Sequence, residues 1–287
     1  MTFGLKKYVR IYLLNNFPNL YELWKVLNLI IGRSKKSIIH FSGWGMSTKT
    51  FPPWINSTAD LETEFSLIND LMINKVENNR FIAAQFVQAN VDVVGKVKDL
   101  MWRHYIVYWS ASYAANRNRQ ERVNLVECGV CDGLTIFYAL SAIGKAGAIP
   151  HAFLYDAWEG MRMENLVGEE KSWEGDYSYL QLDNTKRNLE DFKDNTTYIK
   201  GFIPDTLNRK DDPEQISWLH IDLNSSKPSI ESLEYYFDRL LAGGVVLFDD
   251  YGSSSFVTTR NLVDDWLKDK KGLLLPMPTG QAIFFKL

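Results

Sequence analysis

From about residue 124 onward, short runs rich in Val, Ile, Leu and Phe alternate with stretches whose apolar residues recur every three or four positions. The short runs predict strands at 124–128, 152–155, 197–200, 216–221 and 245–248. The longer periodic stretches predict helices after the first strand to about residue 145, then at 181–192, 229–241 and 258–268. Strands that alternate with helices in this way build a parallel sheet covered by helices on both faces. The chain ends differently. Strands at 273–275 and 282–286 are separated only by Pro276-Met277-Pro278-Thr279-Gly280, and so short a link joins only antiparallel neighbours.

The first hundred or so residues read as helical. One irregular connection interrupts them between 43 and 58, where Gly, Ser, Pro and Asn collect. Beyond Ser57 a helix carries Leu61, Phe65, Ile68, Leu71 and Met72 on one face. Further helices are expected at 80–94 and 98–115. The last aligns Met101, Tyr105, Tyr108, Trp109 and Ser112, a face suited to packing on the domain that follows and, in a less favoured reading, to lining a pocket. The pattern divides the chain into a mainly helical N-terminal extension, 1–115, and an α/β domain, 116–287. Residues 161–179 are long enough for a lid, and equally for an ordered surface loop.

With 287 residues, 46% hydrophobic and 23% charged, the composition is that of an ordinary globular protein. The formal charge of −3 conceals an asymmetry. Residues 1–40 carry seven basic side chains against Glu22, which leaves −9 for the remainder. Leu5, Val9, Tyr12 and Leu13 recur at helical spacing in that segment, which suits it to an anionic membrane surface. The favoured reading is a solvated helix face docked on the body. No basic stripe suited to nucleic acid occurs elsewhere, and no run reaches the roughly 18 apolar residues of a spanning helix. The apolar stretch at 21–31 lies too late, and lacks the small-residue site, for a signal peptide. Cys128 and Cys131 form one C-x-x-C with no second pair, which disfavours zinc and reads as free thiols in a cytoplasmic protein. Oligomeric state is left open, a homo-oligomer included.

Three features carry chemistry. Glu127-Cys-Gly-Val-Cys-Asp-Gly133 follows the first strand, and its glycines let the backbone approach a ligand while the next helix offers its amides. The spacing G-x-x-x-G is not the dinucleotide G-x-G-x-x-G, which weighs against a nicotinamide oxidoreductase. Asp156 ends the second strand, where an acid accepts hydrogen bonds from ribose hydroxyls. Finally, two later strands stop at Asp222 and at Asp249-Asp250. Neighbouring strand ends in a parallel sheet converge, so three carboxylates are expected at one place, their repulsion offset by a divalent cation. His220, inside a strand, reads as a core histidine rather than a base.

The ordered set Glu127-Cys-Gly-Val, Asp156-Ala-Trp-Glu-Gly, Gly201-Phe-Ile-Pro-Asp-Thr-Leu, Leu219-His-Ile-Asp, Gly243-Gly-Val-Val-Leu-Phe-Asp-Asp-Tyr-Gly and Arg260-Asn-Leu-Val-Asp-Asp-Trp resembles the macrocin O-methyltransferase (TylF/MycF) group of class I methyltransferases. The resemblance covers roughly residues 120–287. It implies a Rossmann-like sheet with an antiparallel last strand, S-adenosylmethionine and Mg2+ as ligands, and a sugar hydroxyl on a small-molecule or glycan acceptor. By position it implies Glu127, Gly129, Gly133 and Asp156 around the cofactor, Asp222, Asp249 and Asp250 at the metal, and Asp222 or Asp249 as the group that takes the hydroxyl proton. The sequence departs from the group after Asp222, where Asn224 stands in place of an acid and a Tyr is missing. A methyltransferase-like body that only binds a glycan or a partner is the non-enzymatic alternative.

Overall fold

The structure, a computed structural model, describes residues 65–287. The expectations for the basic lead segment and for the connection at 43–58 lie outside the described residues.

Seven strands form one sheet. They are β1 (Arg122–Cys128), β2 (Ile149–Asp156), β3 (Thr196–Lys200), β4 (Ile216–Ile221), β5 (Leu240–Phe248), β6 (Gly272–Pro276) and β7 (Ala282–Lys286). Their spatial order is β3-β2-β1-β4-β5-β7-β6. The first five pair in parallel, and β7 enters antiparallel between β5 and β6. This is the mostly parallel, Rossmann-like sheet closed by a hairpin that the alternation and the Pro/Gly link predict. The order reverses between β1 and β4, and the carboxyl ends of the strands beside such a point form a binding crevice.

Each strand alternates its side chains between two cores. Leu125, Trp218, Val245 and Leu247 face one core, shared with helices α4 (Met101–Asn118) and α5 (Leu134–Lys145). Val126, Leu219, Val246 and Phe248 face the other, under α7 (Ser226–Tyr236) and α8 (Val257–Leu267). The remaining helices are α1 (Phe65–Glu77), α2 (Ala84–Gln88), α3 (Val93–Asp99) and α6 (Leu182–Asn188). Among the described residues, no helix is long and apolar enough to cross a membrane.

Two sequence expectations about the helical region are corrected. The helix expected at 80–94 is two short pieces, α2 and α3, because the chain leaves helical geometry at Asn90, whose φ is +51°. In α4 the aromatic stripe is only part of the core face. Tyr108 is buried in the core, Met101 and Tyr105 pack half-buried against it, Ser112 is half-buried, and Trp109 is exposed. The face that docks carries Val107, Ser110, Ala111 and Ala114, all at 1% exposure or less. Small side chains let α4 lie close against α5 and the sheet, and Ser110 Oγ accepts the Trp218 indole N–H at 2.9 Å.

That close approach leaves Ala111 no room to grow. Ala111→Leu is expected to lower stability by about 1–3 kcal/mol through overpacking. Urea unfolding followed by tryptophan fluorescence measures this, and an unchanged midpoint contradicts the packing described.

Candidate active site

The strand ladders run one residue beyond three strands. Gly129 N donates to Tyr155 O at 2.8 Å, Asp222 N to Cys128 O at 2.8 Å and Asp249 N to Ile221 O at 3.1 Å. The glycine turn and both acidic strand ends are thereby held at one level. Gly129 has φ +90°, and a Cβ there would lie 1.9 Å from the Asp222 carbonyl oxygen, so the β1 and β4 exits meet with no space for a side chain. Gly133, at φ +84°, starts α5 and packs against Leu189 and Thr185.

A cavity of about 260 Å³ opens against this turn and reaches the acidic cluster. Gly129, Val130 and Cys131 of the turn line it, with Asp156 and Ile203 and with Leu100 and Val107. The last two belong to the helical segment before β1. Gln85 N donates to Asp132 Oδ2 at 3.1 Å, and the Asn188 amide donates to Ile82 O at 2.7 Å and to Asp132 O at 2.8 Å. Burial pushes the Asp132 carboxyl up to about 6.

Asp156 is spent largely on the turn itself. Its Oδ2 accepts the amides of Val130 and Cys131, each at 2.8 Å, and Oδ1 accepts Trp158 N at 2.6 Å. A carboxylate offers about four acceptor positions, so Oδ1 keeps one for a ligand. Glu127 is fully buried in β1, away from the cavity wall. Its Oε1 lies 2.8 Å from His220 Nδ1, and its Oε2 has no partner.

The acidic strand ends do converge. Ligand atoms of His220, Asp222 and Asp249 lie within 4.8 Å of one another, and Asp250 joins them through Asn224, whose Nδ2 donates to Asp222 Oδ1 at 2.9 Å and to Asp250 Oδ2 at 3.1 Å. Asp249 is the most heavily engaged. Its Oδ2 takes the guanidinium of Arg103, and its Oδ1 takes Gln281 Nε2 at 3.0 Å and sits 3.7 Å from His220 Nε2, an ionic contact rather than a hydrogen bond. Arg103 also donates to Thr279 O at 3.2 Å and lies 4.0 Å from Asp250 Oδ1.

The electrostatics divide the three acids. Burial works against the charge on Asp249, but Arg103, His220 and Gln281 hold its carboxyl well below the usual range. Burial, and then the charges of Asp249 and Asp250, push Asp222 well upward. Burial and Asp249 push Asp250 up to about 7. His220 is drawn down by burial, yet Asp249 and Glu127 raise it to about 10, so it stands as an imidazolium between two acids. As a donor set of hard carboxylate oxygens in excess negative charge, the cluster fits a small divalent cation. The N–H donors on Asp249 leave it further lone pairs, and hydrogen-bonded carboxylates are ordinary metal ligands.

One wall of the site is the 161–179 segment. Two 3₁₀ turns, Met163–Asn165 and Gly168–Trp173, are pinned by Glu170, a fully buried acid. Glu170 accepts Val167 N at 3.0 Å, Ser226 N at 2.9 Å and Thr259 Oγ1 at 3.1 Å. Trp173 and Phe256 pair at 5.5 Å on the cavity wall, and Tyr177 OH donates to Asn224 Oδ1 at 2.8 Å.

Of the residues singled out from sequence, the structure gathers Asp222, Asp249 and Asp250 at one end of the cavity and sets Gly129, Gly133 and Asp156 at or beside its glycine turn. Glu127 it turns away, toward His220. Arg103, Gln281 and Tyr177 lie at the site without a sequence signal of their own. His220 is in the core, but as one member of a charged chain that runs Glu127–His220–Asp249–Arg103.

Residues 126–251 match a family model described as Methyltransferase domain. With the sheet order and the glycine-turn cavity, this defines the protein class: an S-adenosylmethionine-dependent methyltransferase of class I. Among solved structures, the chain is similar to the O-methyltransferase NovP at 16% identity and a TM-score of 0.60, covering 77% of this chain and 99% of NovP. It is also similar to CalS11, a calicheamicin methyltransferase, at 14% identity and a TM-score of 0.51, covering 77% of this chain and 91% of CalS11. At these identities the shared property is the fold. No curated protein matches the sequence.

The position of Asp250 has a measurable consequence for the metal-free protein. Its carboxyl is raised from 3.8 to about 7, so the folded state keeps a proton that the unfolded chain has released. Its contribution to stability is complete below pH 3.8 and fades as the pH rises to about 7. In EDTA, the Tm of the wild type is expected to fall over that window relative to Asp250→Asn. Parallel profiles for the two proteins contradict the assignment.

Proposed function

We propose that this chain is an O-methyltransferase of the macrocin (TylF/MycF) type, which methylates a hydroxyl of a sugar or glycoside with the help of Mg2+. The observation that carries the reading is the convergence of Asp222, Asp249 and Asp250 at the end of the cavity that begins at the glycine turn. A nitrogen or carbon acceptor has no need of a cluster of hard oxygen donors, whereas an alcohol must lose its proton to become a nucleophile. The wall supports a carbohydrate: the Trp173–Phe256 pair offers apolar faces, and Ser253 and Ser255 offer hydroxyls. Free thiols at Cys128 and Cys131 agree with a cytoplasmic setting.

When bound, S-adenosylmethionine supplies an electrophilic methyl on a sulfonium sulfur, transferred in line to the acceptor oxygen. A divalent cation, held by Asp222, Asp249 and Asp250, would lower the pKa of the acceptor hydroxyl. The chain's own residues do the rest. The glycine turn and the amides at the start of α5 hold the nucleoside side of the cavity, with the spare acceptor position on Asp156 facing it. Asp222 takes the hydroxyl proton. Asp249, with an N–H donor on each oxygen, stays ionised and fixes the geometry. Asn224 matters as an amide, because an acid there would bring a fourth negative charge within about 3 Å of Asp222 and Asp250.

The test has two stages. Titration calorimetry is expected to show binding of S-adenosylmethionine and none of NADH; silence with both favours a non-catalytic module. Transfer of labelled methyl to a panel of nucleotide sugars and glycosides is then expected to depend on Mg2+. Asp249→Ala should lose about 100-fold or more of that transfer while it still binds the cofactor. Full turnover in EDTA, or an unimpaired Asp249→Ala enzyme, would remove the metal role.

A further inference from the structure

The acidic cluster already contains a positive charge from outside the α/β domain. Arg103 lies in the first turn of α4, only 4% exposed, and reaches across to the end of β5. Its guanidinium contacts Asp249 Oδ2 and donates to Asp249 O at 3.3 Å and Thr279 O at 3.2 Å. Asp250 Oδ1 is 4.0 Å away. Burial of a guanidinium is costly and is sustained here by the acids in front of it. Thr279 and Gln281, both in the connection between the two strands of the closing hairpin, complete the cradle: Thr279 Oγ1 donates to Gln281 Oε1 at 2.9 Å, which leaves Gln281 Nε2 for Asp249. The arrangement is built from three separate parts of the chain, α4, the end of β5 and the hairpin.

We propose that Arg103 is a positioning residue that sets how tightly the acidic cluster holds a divalent cation, by supplying a fixed positive charge that competes with it. This rests on the metal reading above. A neutral hydrogen-bond donor in the same place would orient Asp249 equally well, so charge is what distinguishes Arg103 from a merely structural partner. A unit charge a few ångströms from a divalent ion repels it even under water-like screening, by an amount equal to about tenfold in affinity or more. The role of Arg103 is then to keep the cation exchangeable. It also makes the helical segment before β1 part of the reacting unit rather than an appendage.

The experiment titrates Mn2+ into wild-type protein, Arg103→Gln and Arg103→Lys, each with S-adenosylhomocysteine present, and reads the free Mn2+ signal by electron paramagnetic resonance. Calorimetric S-adenosylhomocysteine affinity serves as the check that each variant is folded. Arg103→Gln is expected to bind Mn2+ at least about tenfold more tightly than wild type. Arg103→Lys, which keeps the charge and loses the fork of hydrogen bonds, is expected to stay within about threefold of wild type. Equal or weaker binding by Arg103→Gln overturns the proposal, as does a large loss in Arg103→Lys, which alone decides the matter if the glutamine variant does not fold. Absence of Mn2+ binding in the wild type as well would instead sink the metal reading, and this inference with it.

Discussion

Three acids brought to one end of a cavity repel one another, and much of the local structure answers that repulsion. Without compensation, Asp222, Asp249 and Asp250 could not all remain ionised so close together. The chain answers with Arg103 and His220 on Asp249, and with the Asn224 amide between the other two. The answer is incomplete, since Asp222 and Asp250 are still driven upward. The cluster is thus left short of positive charge.

Compensation also explains why distant parts of the chain meet here. His220 is held charged by Asp249 on one side and by Glu127 behind it on the neighbouring strand, and the parallel register of β1 and β4 pairs Glu127 with His220 directly. Gln281 reaches Asp249 because β7 enters antiparallel beside β5. The antiparallel hairpin is thus a means of returning a side chain to the carboxyl end of a parallel sheet. The 161–179 segment is held by a buried acid of its own, Glu170, so it is an ordered wall in this conformation.

The sheet, its order of strands and helices, and the antiparallel close were legible because period-two and helical patterns in the C-terminal two-thirds are strong and the Pro/Gly link admits one geometry. The acidic strand ends were legible for the same reason: in a parallel sheet, position along the strand fixes position in space. Arg103 was not legible. Nothing about an arginine near the start of a helix distinguishes it from a solvated one until the helix is docked, and the docking face is centred on alanines, with Tyr108 the one aromatic of the stripe buried in it. The two-piece break at Asn90 had no Gly or Pro to announce it. Glu127 sat where the resemblance placed it, but strand alternation turned its carboxylate into the core toward His220.

Gly129 sits where two backbones touch, with no volume for even a methyl group. The nucleoside end of the cavity is therefore closed to variation, because any side chain there would part β1 from β4. Leu100 and Val107, from the helical stretch before β1, also line the cavity, so there its width is set by side chains and not by touching backbones. A bulkier or smaller guest has to be met at such side chains, with repacking of the core they belong to, and not at the glycine.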